Sequence, residues 1–100
     1  MKKYSVILHP DAEIDILSSY EWGCRAWGEE QARSWARELR EAIMTRLASL
    51  PESCPLAPET GELGIQIRQL LVRRYRILFL VKKRTVTILH VKGAYISKIN

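Results

Sequence analysis

One hundred residues, 47% of them hydrophobic and 27% charged, are enough for one compact core and too few for a second, and no stretch has the low hydropathy and high charge of a disordered segment. No apolar run reaches the ~18 residues of a membrane span, and the N-terminus breaks into Pro10, Asp11 and Glu13 where a signal peptide would carry its apolar core, so a cytoplasmic protein without membrane contact is expected. The net charge of +5 is unevenly placed: residues 1–64 hold seven basic and eleven acidic side chains, residues 65–100 nine basic and none acidic, which implies neutralisation by the N-terminal carboxylates, a solvated face, or a surface for an acidic partner.

In chain order, residues 1–9 contain a short strand, KYSVIL, with Tyr4, Val6 and Leu8 on one face. Pro10 suits the first helical position, where its missing N–H would have no partner, and Asp11 and Glu13 then set negative charge beside the positive end of the helix dipole. This predicts a helix over residues 10–27, with His9 at its cap. Ala12, Ile16, Tyr20, Gly23 and Trp27 form its stripe, widened by Leu17 and Cys24, and Gly28 breaks it. A second helix is predicted over residues 29–50, with Ala32, Trp35, Ala36, Leu39, Ile43, Leu47 and Leu50 on its apolar face. On its far side Glu30, Arg33, Arg37 and Glu41 are spaced for weak i,i+4 pairing. Trp22, Trp27 and Trp35 lie at helical spacing, which favours core packing over a ligand cage.

Residues 51–64, PESCPLAPETGELG, carry three prolines and two glycines and are expected to be a packed crossover loop. Cys24 and Cys54 make neither a CxxC nor a His-paired spacing, so they are read as reduced structural thiols. No metal and no cofactor are expected.

The basic C-terminal third, residues 65–91, alternates β-branched and aromatic residues with a period near two and is predicted as a three-stranded meander, at about residues 65–72, 75–82 and 85–91. A two-residue turn at Lys83-Arg84 would set Val81 opposite Val86, Phe79 opposite Ile88, Ile77 opposite His90 and Arg76 opposite Val91. Ile77, Phe79, Val81, Val86 and Ile88 would then pack under the helices. Leu78, Leu80, Leu89 and Val91 would lie beside Arg76 on an open face, a combination that marks an interaction surface for an acidic amphipathic partner. Residues 92–100 form a tail.

This order of elements, with the stretches HPDAEIDILSSY, LASLPESCPLAP, IRQLLVRRYRILFLV and TVTILHV, resembles the RelE/ParE superfamily of bacterial type II toxin-antitoxin toxins over roughly residues 3–92. The resemblance implies a single α+β domain of order β-α-α-β-β-β, with two helices packed on one face of a small, mainly antiparallel sheet. It also implies a growth inhibitor neutralised by a cognate antitoxin, which would own Leu78, Leu80, Leu89 and Val91.

Two mechanisms divide that superfamily. RelE-like members resemble ribosome-dependent, metal-free mRNA endonucleases, which need a base, an acid and positive charge at the phosphate; ParE-like members poison DNA gyrase without chemistry of their own. Arg76 matches an arginine that the nucleases use, and Arg68, Arg73, Arg74, Arg76 and Lys92 are candidates to hold a target or its phosphates. Tyr75, at a strand start, is read as packing more than as a base-stacking ring. His90 and Tyr95 are the acid–base candidates, although the register above places His90 under the helices, where a hydrogen-bonded core histidine competes with a catalytic one. The C-terminal segment HVKGAYISKIN lacks the Arg or the His-Tyr pair that nuclease members place there, and no arginine follows Arg84. The expectation is therefore a ParE-like toxin with DNA gyrase as its target. A RelE-like nuclease acting on ribosome and mRNA is the alternative, and a non-toxic basic RNA-binding module a third.

Overall fold

The computed structural model describes residues 3–93, the side chains of 62 and 63 apart. A strand, β1 (Ser5–Leu8), leads into two long helices, α1 (Pro10–Trp27) and α2 (Glu29–Leu47). A connector holding a 3₁₀ turn (Pro51–Ser53) and a short helix, α3 (Glu59–Leu63), then delivers the chain to β2 (Arg68–Val72), β3 (Tyr75–Lys82) and β4 (Thr85–Gly93). The strands form one sheet in the order β1-β4-β3-β2. β1 runs parallel to β4 at one edge, and the two hairpins are antiparallel. The expected α+β order, β-α-α-β-β-β, is thus the one observed.

The helix boundaries follow from local chemistry. The His9 ring caps α1 by accepting a hydrogen bond from the Asp11 backbone N–H at 3.1 Å, and Pro10 takes the first turn. α1 ends where Gly28 adopts φ +100°, a backbone that other residues rarely reach, and the chain reverses directly into α2. The second helix stops at Leu47, three residues short of the position that its apolar stripe suggests, and Leu50 is left exposed. On its solvent side Arg33 pairs with Glu29 rather than within the Glu30–Glu41 series, a weak exposed contact at 3.2 Å.

One face of the sheet and the helices enclose the core. Ala12 and Ile16 of α1 and Leu39, Ile43 and Leu47 of α2 meet Leu70, Tyr75, Ile77, Phe79, Val86, Ile88 and Val91. Val81 packs against this cluster from the margin. Cys54 is buried in it, and burial pushes its thiol up, leaving it protonated and unreactive.

The meander departs from its expected register in one place. Val81 opposes Val86 and Phe79 opposes Ile88 as expected, but a bulge between Leu78 and Phe79 leaves Leu89 extra, so Leu78 opposes His90, Ile77 opposes Val91 and Arg76 opposes Lys92. One added residue flips every later side chain. Val91 therefore enters the helix-side core at 1% exposure, instead of lying on the open face, and His90 leaves the position under the helices.

The connector is also more than a loop. Leu56 bridges to Arg68, and the Gln69 N–H donates to the Pro55 carbonyl at 3.0 Å, so the chain runs along the outer edge of β2 and covers its first half. The Thr60 hydroxyl clasps both the N–H and the carbonyl of Ile67, at 2.9 and 2.8 Å. Held this way, Ala57 and Ile67 close over Leu78, which is 3% exposed, with Leu89 packed beside them. The expected open face is thus partly roofed. Leu80 and Leu89 remain half-buried on it, and Ile7, aligned with Thr87 and Leu80 across β1, β4 and β3, is exposed.

Candidate functional site

Arg76 points to the side of the sheet away from α1 and α2, in the row that holds Leu78 and Leu80. There it is occupied. Its Nη1 and Nη2 donate to both carboxylate oxygens of Glu59 in α3, at 3.3 and 2.9 Å, and its Nε donates to Gln69 at 3.0 Å. A bidentate pair of this kind fixes the guanidinium plane as well as its charge. Hydrogen bonding from Arg76 is the main reason that the Glu59 carboxyl is held below the usual carboxylate range, with its own backbone N–H and the charges of Arg76 and Lys92 assisting against partial burial. Lys92, opposite Arg76 in the register, stands 3.9 Å from the same carboxylate.

His90 is engaged elsewhere. Its Nδ1 lies 3.0 Å from Oδ2 of Asp15, on α1, and that oxygen also accepts the Val91 N–H at 2.9 Å. β1 ends at Leu8 opposite Ile88, so beyond it β4 has an open edge, and Asp15 supplies the acceptor that a longer β1 would have supplied. The bulge and the edge cap together explain where His90 sits. Tyr95 lies outside the described residues. Arg76 and His90, the two nuclease candidates within them, thus hold carboxylates on two different helices, α3 and α1.

The remaining cations separate in the same way. Arg68 donates to the Cys54 carbonyl at 2.7 Å and ties the connector down. Arg73 pairs with Glu38 of α2 at 2.6 Å, whereas its neighbour Arg74 is exposed, with no ion-pair partner among the described residues. The asymmetric charge of the sequence is therefore met only in part from within: of the eight basic residues described after residue 64, Arg73, Arg76 and Lys92 face carboxylates, those of Glu38 and Glu59. The partners were not visible beforehand, because 17 residues separate Glu59 from Arg76 and 75 separate Asp15 from His90, with no periodicity linking either pair.

Two of the concavities among the described residues hold exposed apolar or aromatic side chains beside arginines. Between α1 and α2 runs a largely apolar groove of about 610 Å³, lined by Leu8, Ile16, Leu17, Tyr20, Ile43 and Met44, with Arg33, Arg40 and Glu13 at its rim. Leu17 and Met44 are half exposed. A smaller cleft of about 460 Å³ lies where the β2–β3 turn meets the α1–α2 corner. Among the described residues no three His, Cys, Asp or Glu side chains gather as a metal site, and no helix is long and apolar enough to cross a membrane.

Comparison with known proteins gives this geometry a family. No curated protein sequence matches the chain. A solved structure of the chromosomal ParDE toxin-antitoxin system from P. aeruginosa shares the fold, with a TM-score of 0.74 at 18% identity over 91% of this chain and 96% of that one. The family model for the ParE toxin of the type II toxin-antitoxin system parDE matches residues 6–94, from β1 to the end of the meander. The chain belongs to the ParE toxin family and is a type II toxin.

Proposed function

We propose that this toxin acts by binding DNA gyrase, without chemistry of its own, and that a cognate antitoxin neutralises it by covering its apolar surfaces. One observation carries the first half. A metal-free nuclease must bring a base, an acid and a free cation to a single phosphate, whereas here Arg76 is bidentate on Glu59 and His90 is held against Asp15. A side chain already satisfied by a carboxylate would have to abandon it before clasping a phosphate. Membership of the ParE family points the same way.

The ParDE system to which the chain is similar pairs a toxin with an antitoxin. For the antitoxin we assign two surfaces. Leu80 and Leu89, with Ile7 and Thr87 beside them, are what the connector leaves of the expected contact face; Leu78, roofed by Ala57 and Ile67, and Val91, turned into the helix-side core, offer the antitoxin no surface. The α1–α2 groove, apolar inside and bearing two arginines at its rim, suits the apolar face of an acidic amphipathic helix.

Inducing the chain without antitoxin tests the target. Filamentous cells with continuing translation, and inhibition of supercoiling by purified gyrase, are the expected results. Arrested translation with cleaved messages, and unimpaired gyrase, would instead favour the ribosome-dependent nuclease.

A further inference from the structure

Trp27, Trp35 and Tyr75, for which the sequence favours core packing over a ligand-stacking role, line the cleft of about 460 Å³ whose opposite wall is the β2–β3 turn with Arg73 and Arg74. Gln31, Ser34 and Glu38 of α2 complete it. We propose that this cleft binds one unpaired nucleotide of a nucleic-acid strand, with its base against the tryptophan rings and its phosphate on Arg74.

Trp27 and Trp35 are partly exposed and held in place, with the buried Tyr75 behind them. Trp27 is 38% exposed at the end of α1, yet its ring folds back over Gly23, where a Cβ would stand 3.0 Å away, and meets Trp22 edge-on with centroids 5.2 Å apart. Trp35 leans on Tyr75 at 5.0 Å. Tyr75 is itself wedged against Gly93, since a Cβ there would come within 2.5 Å of the ring. Flat surfaces that lose little freedom on binding are what base stacking uses, and stacking serves only bases that have left a duplex.

The charges fit the same ligand. Glu38 is the carboxylate in the lining, and Arg73 neutralises it, so an incoming phosphate meets the uncommitted Arg74. Arg73 holds that contact from φ 56°, the left-handed turn backbone that Lys83 also adopts in the other hairpin. The Gln31 amide and the Ser34 hydroxyl offer donors and acceptors to a base edge. The volume lies within the range of small-ligand sites, roughly 300–1,000 Å³. None of this depends on which target the toxin poisons.

Titrating the full chain with a short fluorescein-labelled oligothymidylate, a hairpin duplex of similar length, and free thymidine monophosphate tests the proposal. The single strand should bind and quench tryptophan fluorescence. Arg74→Ala and Trp27→Leu should each weaken it about tenfold, whereas Lys82→Ala, the same loss of charge at the other hairpin, should change it less than about twofold. A thermal melt checks each variant; should Trp27→Leu destabilise the fold, Arg74, an exposed turn residue, decides the matter alone. Equal losses from Arg74→Ala and Lys82→Ala, or equal affinity for the hairpin, would overturn the site. Free monophosphate competing as well as the strand would overturn a strand as the ligand.

Discussion

Ser19 lies in the buried stripe of α1 between Ile16 and Gly23, and its hydroxyl has no hydrogen-bond partner among the described residues. A buried hydroxyl without a partner keeps its desolvation cost and gains nothing in return, and removing it leaves only a small void. Ser19→Ala should therefore stabilise the protein by about 1 kcal/mol, read as a higher urea midpoint with an unchanged slope. A destabilised variant would mean that the hydroxyl has a partner in solution. The same logic, applied to a charge, explains Asp15. One of its oxygens serves both His90 and the Val91 N–H, so it is held by two partners where Ser19 has none.

At the scale of elements, the connector decides what the sheet exposes. It presents Glu59 to Arg76, lays Ala57 and Ile67 on Leu78 and lines the edge of β2. Because the carboxyl of Glu59 is held low in the folded state, its contribution is present above its ordinary value of 4.5 and is lost as pH falls through the folded value. Stability should thus be flat in this respect through neutral pH and should fall in acid below about 4.5. The carboxylate is partly solvated, so the share is small, about 0.5–1 kcal/mol. Glu59→Gln should lose that amount at pH 7 and flatten this part of the acid limb, which chemical denaturation at several pH values will measure. Equal acid sensitivity in the two proteins would remove Glu59 from the account.

The connector also shows where reading the sequence succeeds and where it stops. The helices and hairpins were legible because periodicity and local signals, Pro10 after a capping His9 and Gly28 between the two stripes, all lie within a few residues of what they determine. α3 was not, since the Thr60 hydroxyl near its start is fastened to Ile67, a contact made only when the chain has folded back. The bulge left one sign, adjacent Ile88 and Leu89 in a stretch that otherwise alternates, and overlooking it moved Val91 and His90 to the wrong faces. The paired state of the arginines had no local sign at all.

For the whole molecule, the layered fold leaves two apolar regions in water that the core does not need: the groove between α1 and α2, and the unroofed end of the sheet. If the antitoxin occupies the groove, its binding should stabilise the toxin by mass action, since it binds the folded state alone. Leu17 and Met44 give the sharpest test. Both are about half exposed, 55% and 50%, so replacing them with Ser should leave the stability of the free toxin nearly unchanged. Burying their remaining apolar surface against a helix would contribute about 1–2 kcal/mol each. The double variant Leu17→Ser/Met44→Ser should therefore bind antitoxin at least tenfold more weakly by calorimetry and show a smaller rise in Tm on its addition. Leu80→Ser/Leu89→Ser tests the sheet end independently, because the two surfaces lie on opposite sides of the sheet and their effects should add. Full affinity in the groove variant, with loss in the sheet variant, would assign neutralisation to the sheet face alone.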